Sequence, residues 1–381
     1  MEYSSINWAA VRKEFPVTEN FIFFQGNNGA LSLTGAKAVE KWIDMQLNCP
    51  LANDEREHIC KGARNAVAKL IGALPEEIAL MRSTNECINL IAGGFDLQKG
   101  DKVLVTDSEH PNGIFPWLFL EHKGVETVFV KSKGGVVTVE DLEALVDNKT
   151  KVFQVSAVTF SRGNANDLKA LGKFCRDKGV IMVVDAMHAV GALPLDVESM
   201  YIDIMASGGQ KLLHTMAGIA FLFCSNRVLE RITPSSAGQL SLIDAKDVTR
   251  EDYSYEIRFK KSAARFEQGV ENLLGMMLLQ SNIEQILELG VENIRRRIWE
   301  INDLMSSGLQ KRGITVTSPT EGPLRSPLVA FNHPRGDELY KWLRENGVRM
   351  SCRRGVLRAS LARYNNEEDI EKFLGFVDSF K

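Results

Sequence analysis

The 381-residue chain is predicted to be an α/β protein, with a parallel sheet in a large domain and a smaller α+β domain at its C-terminal end. Two observations predict this class. Short runs of β-branched and apolar residues alternate with helical patterns through the centre of the chain, and this alternation stops near residue 251. Continuous apolar runs of this length are typical of strands that helices cover on both faces. The length of the chain also exceeds what one core usually fills, which predicts two domains.

Several of these short runs are predicted to be buried strands. They are Lys102–Asp107, Val125–Val130, Lys151–Val158, Val180–Asp185 and Ile219–Cys224. Between the third and the fourth, the segment Asn166–Lys178 is predicted to be a helix that Gly179 ends. Its apolar residues Leu168, Leu171 and Phe174 share one helical face. A strand–helix–strand unit of this kind is expected to be a right-handed crossover.

The pattern changes after about residue 251, where helical segments dominate. The segments predicted there are a long, mostly helical stretch over 272–305, a helix over 341–346, a strand over 356–362 and a helix over 366–379. This order predicts a large domain over residues 18–255 and a small α+β domain over residues 256–381. Residues 1–17 are expected to pack against the small domain.

Composition argues against several classes of partner and location. Lys and Arg number 46 against 49 Asp and Glu, so no basic excess favours a nucleic-acid partner. No apolar run is long enough to span a bilayer, and the first residues lack the features of a signal peptide, so we expect a cytoplasmic protein with no membrane partner. The 6 cysteines are scattered without a CxxC pair, which indicates neither a metal site nor a disulfide framework.

Two residues carry the main chemical hypothesis. Asp185 ends a predicted strand, at the sheet edge where α/β proteins bind ligands, and Lys211 lies further along between small and apolar neighbours. Each has an ordinary alternative, because Asp185 could cap a turn and Lys211 could be a solvated loop residue. A desolvated lysine amine attacks aldehydes, and a carboxylate keeps a pyridine nitrogen protonated. The pair therefore predicts pyridoxal 5′-phosphate (PLP) as cofactor.

Two further segments are candidates for the same site. The segment Met81–Asn89 is predicted to open a helix, and Thr84 and Asn85 at such a start suit a phosphate group, although most helix starts are only capped. The segment Ser108–Trp117 follows a predicted strand and brings His110 to the carboxyl edge of the sheet. There His110 could stack on a flat ring, while a surface loop histidine is the alternative.

In order along the chain, these segments resemble the class V aminotransferase family of PLP enzymes, which includes cysteine desulfurases, cysteine lyases and isopenicillin-N-epimerase-like proteins. The stretches that carry the resemblance are STNECINLIA, SEHPNGIFPW, VVDAMHAVGALPLDV, GGQKLL, RFEQGVEN and LRASLARYNNEEDI. The resemblance implies the PLP-dependent transferase fold type I, with a mainly parallel seven-stranded sheet. It also implies a homodimer whose active sites lie at the subunit interface.

The resemblance implies a role for each matching residue. Those assigned to the cofactor are Lys211 as Schiff-base lysine and general base, Asp185 at the pyridinium nitrogen, His188 at the phenolic oxygen, His110 stacked on the ring, and Thr84, Asn85 and Gln210 at the phosphate. Arg358 matches the arginine that binds the carboxylate of a small amino-acid substrate, where a salt bridge is the alternative. Asn27 and Asn28 could line the pocket or form a turn.

Four departures from the family pattern bear on the pocket. Gln210 replaces the usual histidine, Thr215 and Met216 replace Gly-Pro, Val270 replaces a phosphate-binding threonine, and Phe160 replaces a common asparagine. These departures motivate a hypothesis of another class, a PLP-binding regulator without turnover. A nucleotide-binding α/β protein has less support, since no GxGxxG follows a strand and no GxxxxGK[ST] is present.

The residues common to the family leave the reaction open among transamination, elimination and epimerisation. The favoured interpretation is an aminotransferase or lyase acting on an α-amino acid or a related amine, because the segment before Arg358 is short. A cysteine desulfurase or C–S lyase and an amino-acid epimerase remain alternatives. Cys352 lies only a few residues before Arg358, and we expect it to be a small core residue rather than a sulfur carrier.

Overall fold

The structure, a computed structural model, describes residues 1–24, 29–49, 51–243 and 257–381. The strands are β1 (Ile22–Phe23), β2 (Ile78–Met81), β3 (Lys102–Thr106), β4 (Glu126–Val130), β5 (Thr150–Ser156), β6 (Ile181–Asp185), β7 (Ile204–Gly208), β8 (Ala220–Cys224), β9 (Thr315–Val316), β10 (Leu328–Asn332), β11 (Val348–Arg349), β12 (Ser351–Arg353) and β13 (Val356–Ser360). The α-helices are α1 (Trp8–Lys13), α2 (Val17–Asn20), α3 (Leu33–Asn48), α4 (Asn53–Ile71), α5 (Thr84–Gly94), α6 (Pro111–Leu118), α7 (Val139–Glu143), α8 (Leu168–Lys178), α9 (Asn226–Leu229), α10 (Leu273–Leu289), α11 (Val291–Gln310), α12 (Gly336–Glu345) and α13 (Glu367–Ser379).

Seven strands form the central sheet in the order β2-β8-β7-β6-β5-β3-β4. Strand β8 is antiparallel to both of its neighbours, and the remaining pairs are parallel. The α/β fold with a mainly parallel seven-stranded sheet is therefore confirmed. The predicted strands correspond to β3, β4, β5, β6 and β8, with ends that differ by a residue or two. Strands β2 and β7 were not predicted.

Side chains of the central strands alternate between two hydrophobic cores, one on each face of the sheet. On β6, Val183 belongs to the core that contains α5, and its neighbour Val184 belongs to the core that contains α8 and α10. Both side chains are fully buried. Because successive strand residues point to opposite faces, a strand buried on both sides must be apolar throughout. This explains why the sequence of β6 shows a continuous apolar run instead of an alternating pattern.

The helices of the C-terminal part differ from the prediction, since the helix predicted over 341–346 begins at Gly336 and the long helical stretch is divided. The stretch predicted as mostly helical over 272–305 is two helices, α10 and α11, which separate at Gly290 with a φ of 82°. Glycine is the residue that adopts such a φ without strain, so the chain can change direction there. Helix α10 packs on α3 and α4, while α11 packs on α13. None of the helices within the described ranges is long and apolar enough to cross a membrane.

A smaller sheet of four strands, in the order β12-β13-β10-β9, lies in the C-terminal part. The N-terminal segment contacts this part through a two-bond ion pair, in which the guanidinium of Arg12 donates to both carboxylate oxygens of Asp369 at 2.8 Å. Strand β1 also pairs in parallel with β11. The division into domains over 18–255 and 256–381 stays a prediction, because its boundary lies outside the described residues.

Candidate active site

The candidate site begins where three parallel strands end side by side. Asp185, the last residue of β6, pairs with Ser156 of β5 on one side and with Ala206 of β7 on the other. The three strands are largely buried, and the polar residues Ser156 and Asp185 are the last residues of β5 and β6. This is the edge at which open α/β sheets bind ligands. The fold therefore brings chain segments that are distant in sequence to one point.

Lys211, His188 and Asp185 form what we call the lysine cluster. The Nζ atom of Lys211 lies 2.7 Å from Nε2 of His188. Burial lowers the pKa of Lys211 to about 8, although the charge of Asp185 opposes this shift. Burial also holds the pKa of His188 well below its usual range, and Lys211 reinforces that shift. His188 is therefore a neutral imidazole next to an amine that loses its proton more readily than an ordinary lysine.

Asp185 is buried, with 8% of its surface exposed, and its Oδ1 accepts a hydrogen bond from the backbone N–H of Met187 at 2.9 Å. Burial raises the pKa of this carboxyl, while Met187 and Lys211 pull it down. A buried carboxylate is costly unless a cation or donors compensate its charge. Asp185 is thus placed to hold a positively charged group near Lys211.

His110 stands at the N-terminus of α6, where its Nδ1 accepts a hydrogen bond from the backbone N–H of Asn112 at 3.1 Å. Its ring meets Phe160 edge to face, with ring centroids 4.5 Å apart. Burial lowers the pKa of His110, and the charge of Lys211 adds to the effect. The structure therefore brings His110 next to the lysine cluster, with a neutral ring whose orientation is fixed from two sides.

Glu109 is the residue of this region that the sequence analysis missed. Only 6% of its surface is exposed, and its carboxyl group accepts hydrogen bonds from Ser156 N and Oγ at 2.6 Å and from Thr106 Oγ1 at 2.7 Å. Burial raises the pKa of Glu109 to about 7, and the nearby charge of Asp185 contributes. A glutamate in a predicted loop gives no sign of this burial. The only signal in the sequence was its position directly before His110.

The predicted phosphate side lies at the same edge, one strand pair away. Gly208 at the end of β7 pairs with Ala220 of β8, which pairs with Met81 at the end of β2. Helix α5 begins at Thr84, after Arg82 and Ser83, and the backbone N–H groups of a first helical turn suit an anion, although Ser83 Oγ already accepts from that of Glu86 at 3.1 Å. Thr84 is 6% exposed, and its Oγ1 has no hydrogen-bond partner within the described ranges. A buried hydroxyl of this kind calls for a ligand.

Two other residues predicted for the phosphate differ in their placement. The Oε1 atom of Gln210 lies only 2.4 Å from where a Cβ on Gly208 would be, so the Gln210 side chain folds over the end of β7. Asn85 is exposed, and its Oδ1 accepts a hydrogen bond from Asn89 Nδ2 at 3.2 Å. The Asn85 side chain is thus engaged within its own helix, and its backbone N–H is the group that remains for an anion.

Arg358 lies on β13 with 1% of its surface exposed, and it lines a cavity of about 830 Å³. Its three guanidinium nitrogens have no hydrogen-bond partner among the described residues. Burial lowers the pKa of Arg358 to about 10, and the positive charge of Arg353 adds to the shift. Arg162, Arg353 and Arg354 line the same cavity, and together with Arg358 they form what we call the arginine pocket. A buried, unpaired guanidinium is unfavourable unless it binds an anion.

The structure leaves two of the remaining predicted positions undescribed and describes the others. Asn27 and Asn28 fall outside the described residues, so their predicted role is untested, although Gly29 N donates a hydrogen bond to Gln210 O at 2.5 Å. Val270 is 82% exposed. Cys352 is on β12 and half-buried, and burial together with Asp337 raises the pKa of its thiol to about 11.

The arrangement fits PLP by its donor set. A lysine amine of lowered pKa, a buried carboxylate and an unpaired threonine hydroxyl at a helix start are what an aldehyde, a ring nitrogen and a phosphate require. Lys211, Asp185 and Thr84 would hold these three groups. The arginine pocket borders this region, since the charge of Arg358 contributes to lowering the pKa values of both Lys211 and His188.

Comparisons with known proteins bear on the family and the fold of this chain. A model of the class-V aminotransferase family matches residues 50–373. A probable cysteine desulfurase of Methanothermobacter thermautotrophicus is 33% identical over 235 residues, a match that spans 61% of this chain and 57% of that protein. A probable cysteine desulfurase of Pyrococcus abyssi is 28% identical over 400 residues, or 97% of this chain and 96% of that protein. One solved structure is a mutant of the cystine C–S lyase C-DES, with glycine covalently linked to its PLP cofactor. It matches with a TM-score of 0.88 at 21% sequence identity, over 97% of this chain and 99% of that chain. This similarity shows a common fold.

Proposed function

This chain belongs to the class-V aminotransferase family of PLP-dependent enzymes, and from that premise we propose that it binds PLP through Lys211 and acts on an α-amino acid whose carboxylate Arg358 binds. The reaction is transamination or elimination, as in an aminotransferase or a lyase. The proposal assigns the lysine cluster to the cofactor and the arginine pocket to the substrate.

One observation carries the substrate side of the proposal. The guanidinium of Arg358 is buried, borders a cavity and lacks a hydrogen-bond partner on all three nitrogens within the described part of the chain. Arginine binds a carboxylate through two parallel N–H···O bonds, a geometry that a lysine ammonium cannot reproduce. An amino-acid carboxylate supplies the charge and both acceptors that this side chain lacks.

The lysine cluster accounts for the proton transfers. PLP, when bound, supplies an aldehyde that takes up the amine of the substrate and a ring that accepts electrons from the α-carbon. Lys211 would accept the α-proton of the substrate on Nζ, because its lowered pKa leaves part of the amine neutral near neutral pH. Neutral His188, 2.7 Å away, orients that amine, and Asp185 would hold the cofactor's ring nitrogen as its counter-charge.

Cys352 bears on the choice among reactions. Sulfur transfer through a persulfide needs a thiolate that reaches the substrate. The thiol of Cys352 contacts Asp337 Oδ1 at 3.4 Å, and its raised pKa of about 11 keeps it protonated. We therefore assign Cys352 no role in catalysis. Transamination and elimination need only the residues of the lysine cluster, His110 and Arg358.

Two finer assignments belong to the same proposal. We place the protein in the cytoplasm, where free thiols persist, because all six cysteines are free. We also propose a homodimer with active sites at the subunit interface. Helix α3 supports it by exposing Leu33, Ile43 and Leu47, whose exposed fractions are 44%, 51% and 76%. A single monomer mass by light scattering at micromolar concentration would refute the dimer.

Covalent trapping tests the central assignment. The purified protein is incubated with PLP, reduced with borohydride, digested and analysed by mass spectrometry. We expect a phosphopyridoxyl adduct on Lys211, because that amine has the lowered pKa. Lys211→Ala is expected to lose this adduct, whereas Lys173→Ala, which changes an exposed lysine paired with Asp177, keeps it. An adduct that persists on other lysines alone, or amino acids that never alter the visible absorption of the bound cofactor, would overturn the proposal.

A further inference from the structure

We infer that the amino acid accepted by this site carries a second anionic group on its side chain, which Arg353 and Arg354 bind at the mouth of the arginine pocket. The inference rests on the proposed function and deepens it by naming the class of substrate. A carboxylate, a sulfinate or a phosphate would each supply the required charge and oxygen acceptors.

This hairpin holds two arginines at the cavity by a turn that is unusual for arginine. Arg353 pairs with Val356, so the turn consists of Arg354 and Gly355 alone. Their φ angles are 49° and 79°, as a two-residue hairpin turn with positive φ at both positions requires. Asparagine, aspartate or glycine is the ordinary choice at the first position, since other side chains are strained there. An arginine at this position keeps its charge over the cavity at a cost in local backbone energy.

Phe160 fixes the direction of two members of the arginine pocket. The guanidinium carbon of Arg353 lies 4.3 Å from the centroid of the Phe160 ring, and that of Arg358 lies 5.0 Å from it. Both cations thus gather around one aromatic ring, within the range of a cation–π contact. Arg358 is buried and Arg353 is exposed, so the pair extends from the interior of the pocket to its mouth. A substrate with two separated anionic groups has the matching arrangement.

The arginines of the pocket form no ion pair within the described ranges. No ion pair joins Arg162, Arg353, Arg354 or Arg358 to a carboxylate there. Asp107 and Glu109 line the same cavity, but neither forms an ion pair with these arginines. Asp107 accepts hydrogen bonds from Ser132 N and Oγ at 3.0 and 2.6 Å and lies 3.9 Å from Lys131 Nζ, and Glu109 accepts from Ser156 Oγ.

The pocket contains more arginines than one carboxylate of the substrate can bind, and this excess favours a substrate with two anionic groups. The α-carboxylate of any amino acid satisfies Arg358 alone. That would leave Arg353 and Arg354 beside a bound substrate without an anion, and like charges that line one cavity repel one another. Solvent can hydrate the exposed pair in the free protein, but a substrate that enters the cavity displaces this water. A second anionic group on the substrate would attract Arg353 and Arg354, which compensates for their lost hydration and for the repulsion between them.

Unreactive analogues test binding separately from chemistry. Isothermal titration of the PLP-loaded protein compares succinate with its monoamide succinamate, and glutarate with glutaramate. Each pair keeps the shape and changes one carboxylate into an amide. We expect the diacid to bind roughly tenfold or more tightly in at least one pair, with a difference that shrinks as salt is added. Equal affinities within both pairs would overturn the inference.

Variants assign the effect to the hairpin. Arg354→Gln and Arg353→Gln are expected to reduce the diacid-to-monoamide affinity ratio by roughly tenfold. Arg231→Gln is the control, because Arg231 is exposed and does not line the cavity. A ratio that falls equally in the control, or stays unchanged in both hairpin variants, would contradict the inference.

Turnover distinguishes the failure of this inference from failure of the proposed function. The PLP-loaded protein is assayed with L-aspartate and L-asparagine, L-glutamate and L-glutamine, and cysteine sulfinate and cysteine. A higher kcat/KM for the acidic member of at least one pair supports the inference. Preference for the neutral member in every pair overturns the inference and leaves the proposed function standing. Absence of any product and of any spectral change with all six compounds overturns both.

Discussion

The lysine cluster and the arginine pocket are neighbours, yet their polar groups are satisfied in different ways. In the lysine cluster, Lys211 contacts His188 at 2.7 Å and Asp185 accepts from Met187 N at 2.9 Å. In the arginine pocket, Arg358 is buried without a hydrogen-bond partner in the described part of the chain, and Arg353 adds positive charge beside it. Contacts within the chain therefore satisfy the polar groups of the lysine cluster, whereas the guanidinium of Arg358 gains hydrogen-bond partners only when a ligand binds.

This difference indicates that the protein loses folding stability at the arginine pocket in return for its ability to bind a ligand there. A buried ion without a partner opposes folding, so its presence points to an interaction that folding alone does not provide. Contacts made within the chain stabilise the fold and also position groups for chemistry. Substitutions of single residues test this difference between the lysine cluster and the arginine pocket, and the first is expected to have the largest effect.

The largest effect is expected from replacing buried arginines. Arg358 and Arg363 are both buried and both have a pKa lowered to about 10, but Arg363 donates to Gln285 Oε1 at 2.8 Å. Arg358→Met is expected to lower kcat/KM by roughly two to three orders of magnitude and to keep or raise the melting temperature of the cofactor-free protein. Arg363→Met is expected to reduce the free energy of unfolding by about 1–3 kcal/mol.

Calorimetry and steady-state kinetics on the same preparations measure both properties. Equal destabilisation by the two substitutions would mean that Arg358 is already satisfied within the folded chain. In that case the contrast between the lysine cluster and the arginine pocket would disappear.

The next effect concerns Glu109, which lies between the two regions. Its pKa in the folded protein is about 7, above the ordinary value of 4.5. Below about pH 4.5 both states are protonated, but towards pH 7 the unfolded chain loses its proton first, so this residue destabilises the fold as pH rises. The loss reaches about 3 kcal/mol near pH 7 and stays constant above it.

Glu109→Gln removes the titration while its amide can still bond Thr106 and Ser156. We expect the variant to gain stability relative to the parent as the pH rises from 5 to 7.5, measured by urea unfolding of the cofactor-free proteins. The difference between the proteins isolates this residue from all other titrating groups. A difference that does not change with pH would show that the Glu109 carboxylate is compensated in the fold.

A smaller effect is expected in the pH dependence of cofactor attachment. The pKa of Lys211 is lowered to about 8, and the amine must be neutral to attack the aldehyde. The attachment rate should rise about tenfold per pH unit below that value and level off above it. Asp185→Asn removes the charge that raises the pKa of Lys211, so the inflection should move to lower pH. Stopped-flow absorbance measures it, and an inflection that moves upward would contradict this account.

The smallest effect is expected from Cys352→Ser. The thiol has a pKa of about 11, so almost none of it is thiolate at neutral pH. Turnover of the best substrate should change by less than about twofold. A loss of activity of more than tenfold, together with a persulfide detected on Cys352 by mass spectrometry, would give the protein a sulfur-transfer step and a third functional region.

Local sequence patterns predicted most of the central sheet and several site positions. Strands β3, β5 and β6 were recognisable because burial on both faces demands continuous apolar runs. Strand β7 was not, because its sequence IMASG mixes small residues with few β-branched ones, and its burial depends on neighbours far away in the chain. Asp185 could be proposed as a site residue for a similar reason, because it is the last residue of a strand that its own sequence makes recognisable.

The amino-acid sequence was enough to predict the α/β class and polar residues at the strand ends, and it nominated Asp185 and Lys211 as a candidate pair. The folded chain was needed to show that Glu109 is buried, that Lys211 contacts His188, and that Arg358 lacks a hydrogen-bond partner within the described ranges. The physical reason is that hydrophobic periodicity is written in neighbouring residues, whereas desolvation and charge compensation depend on groups that meet only after folding.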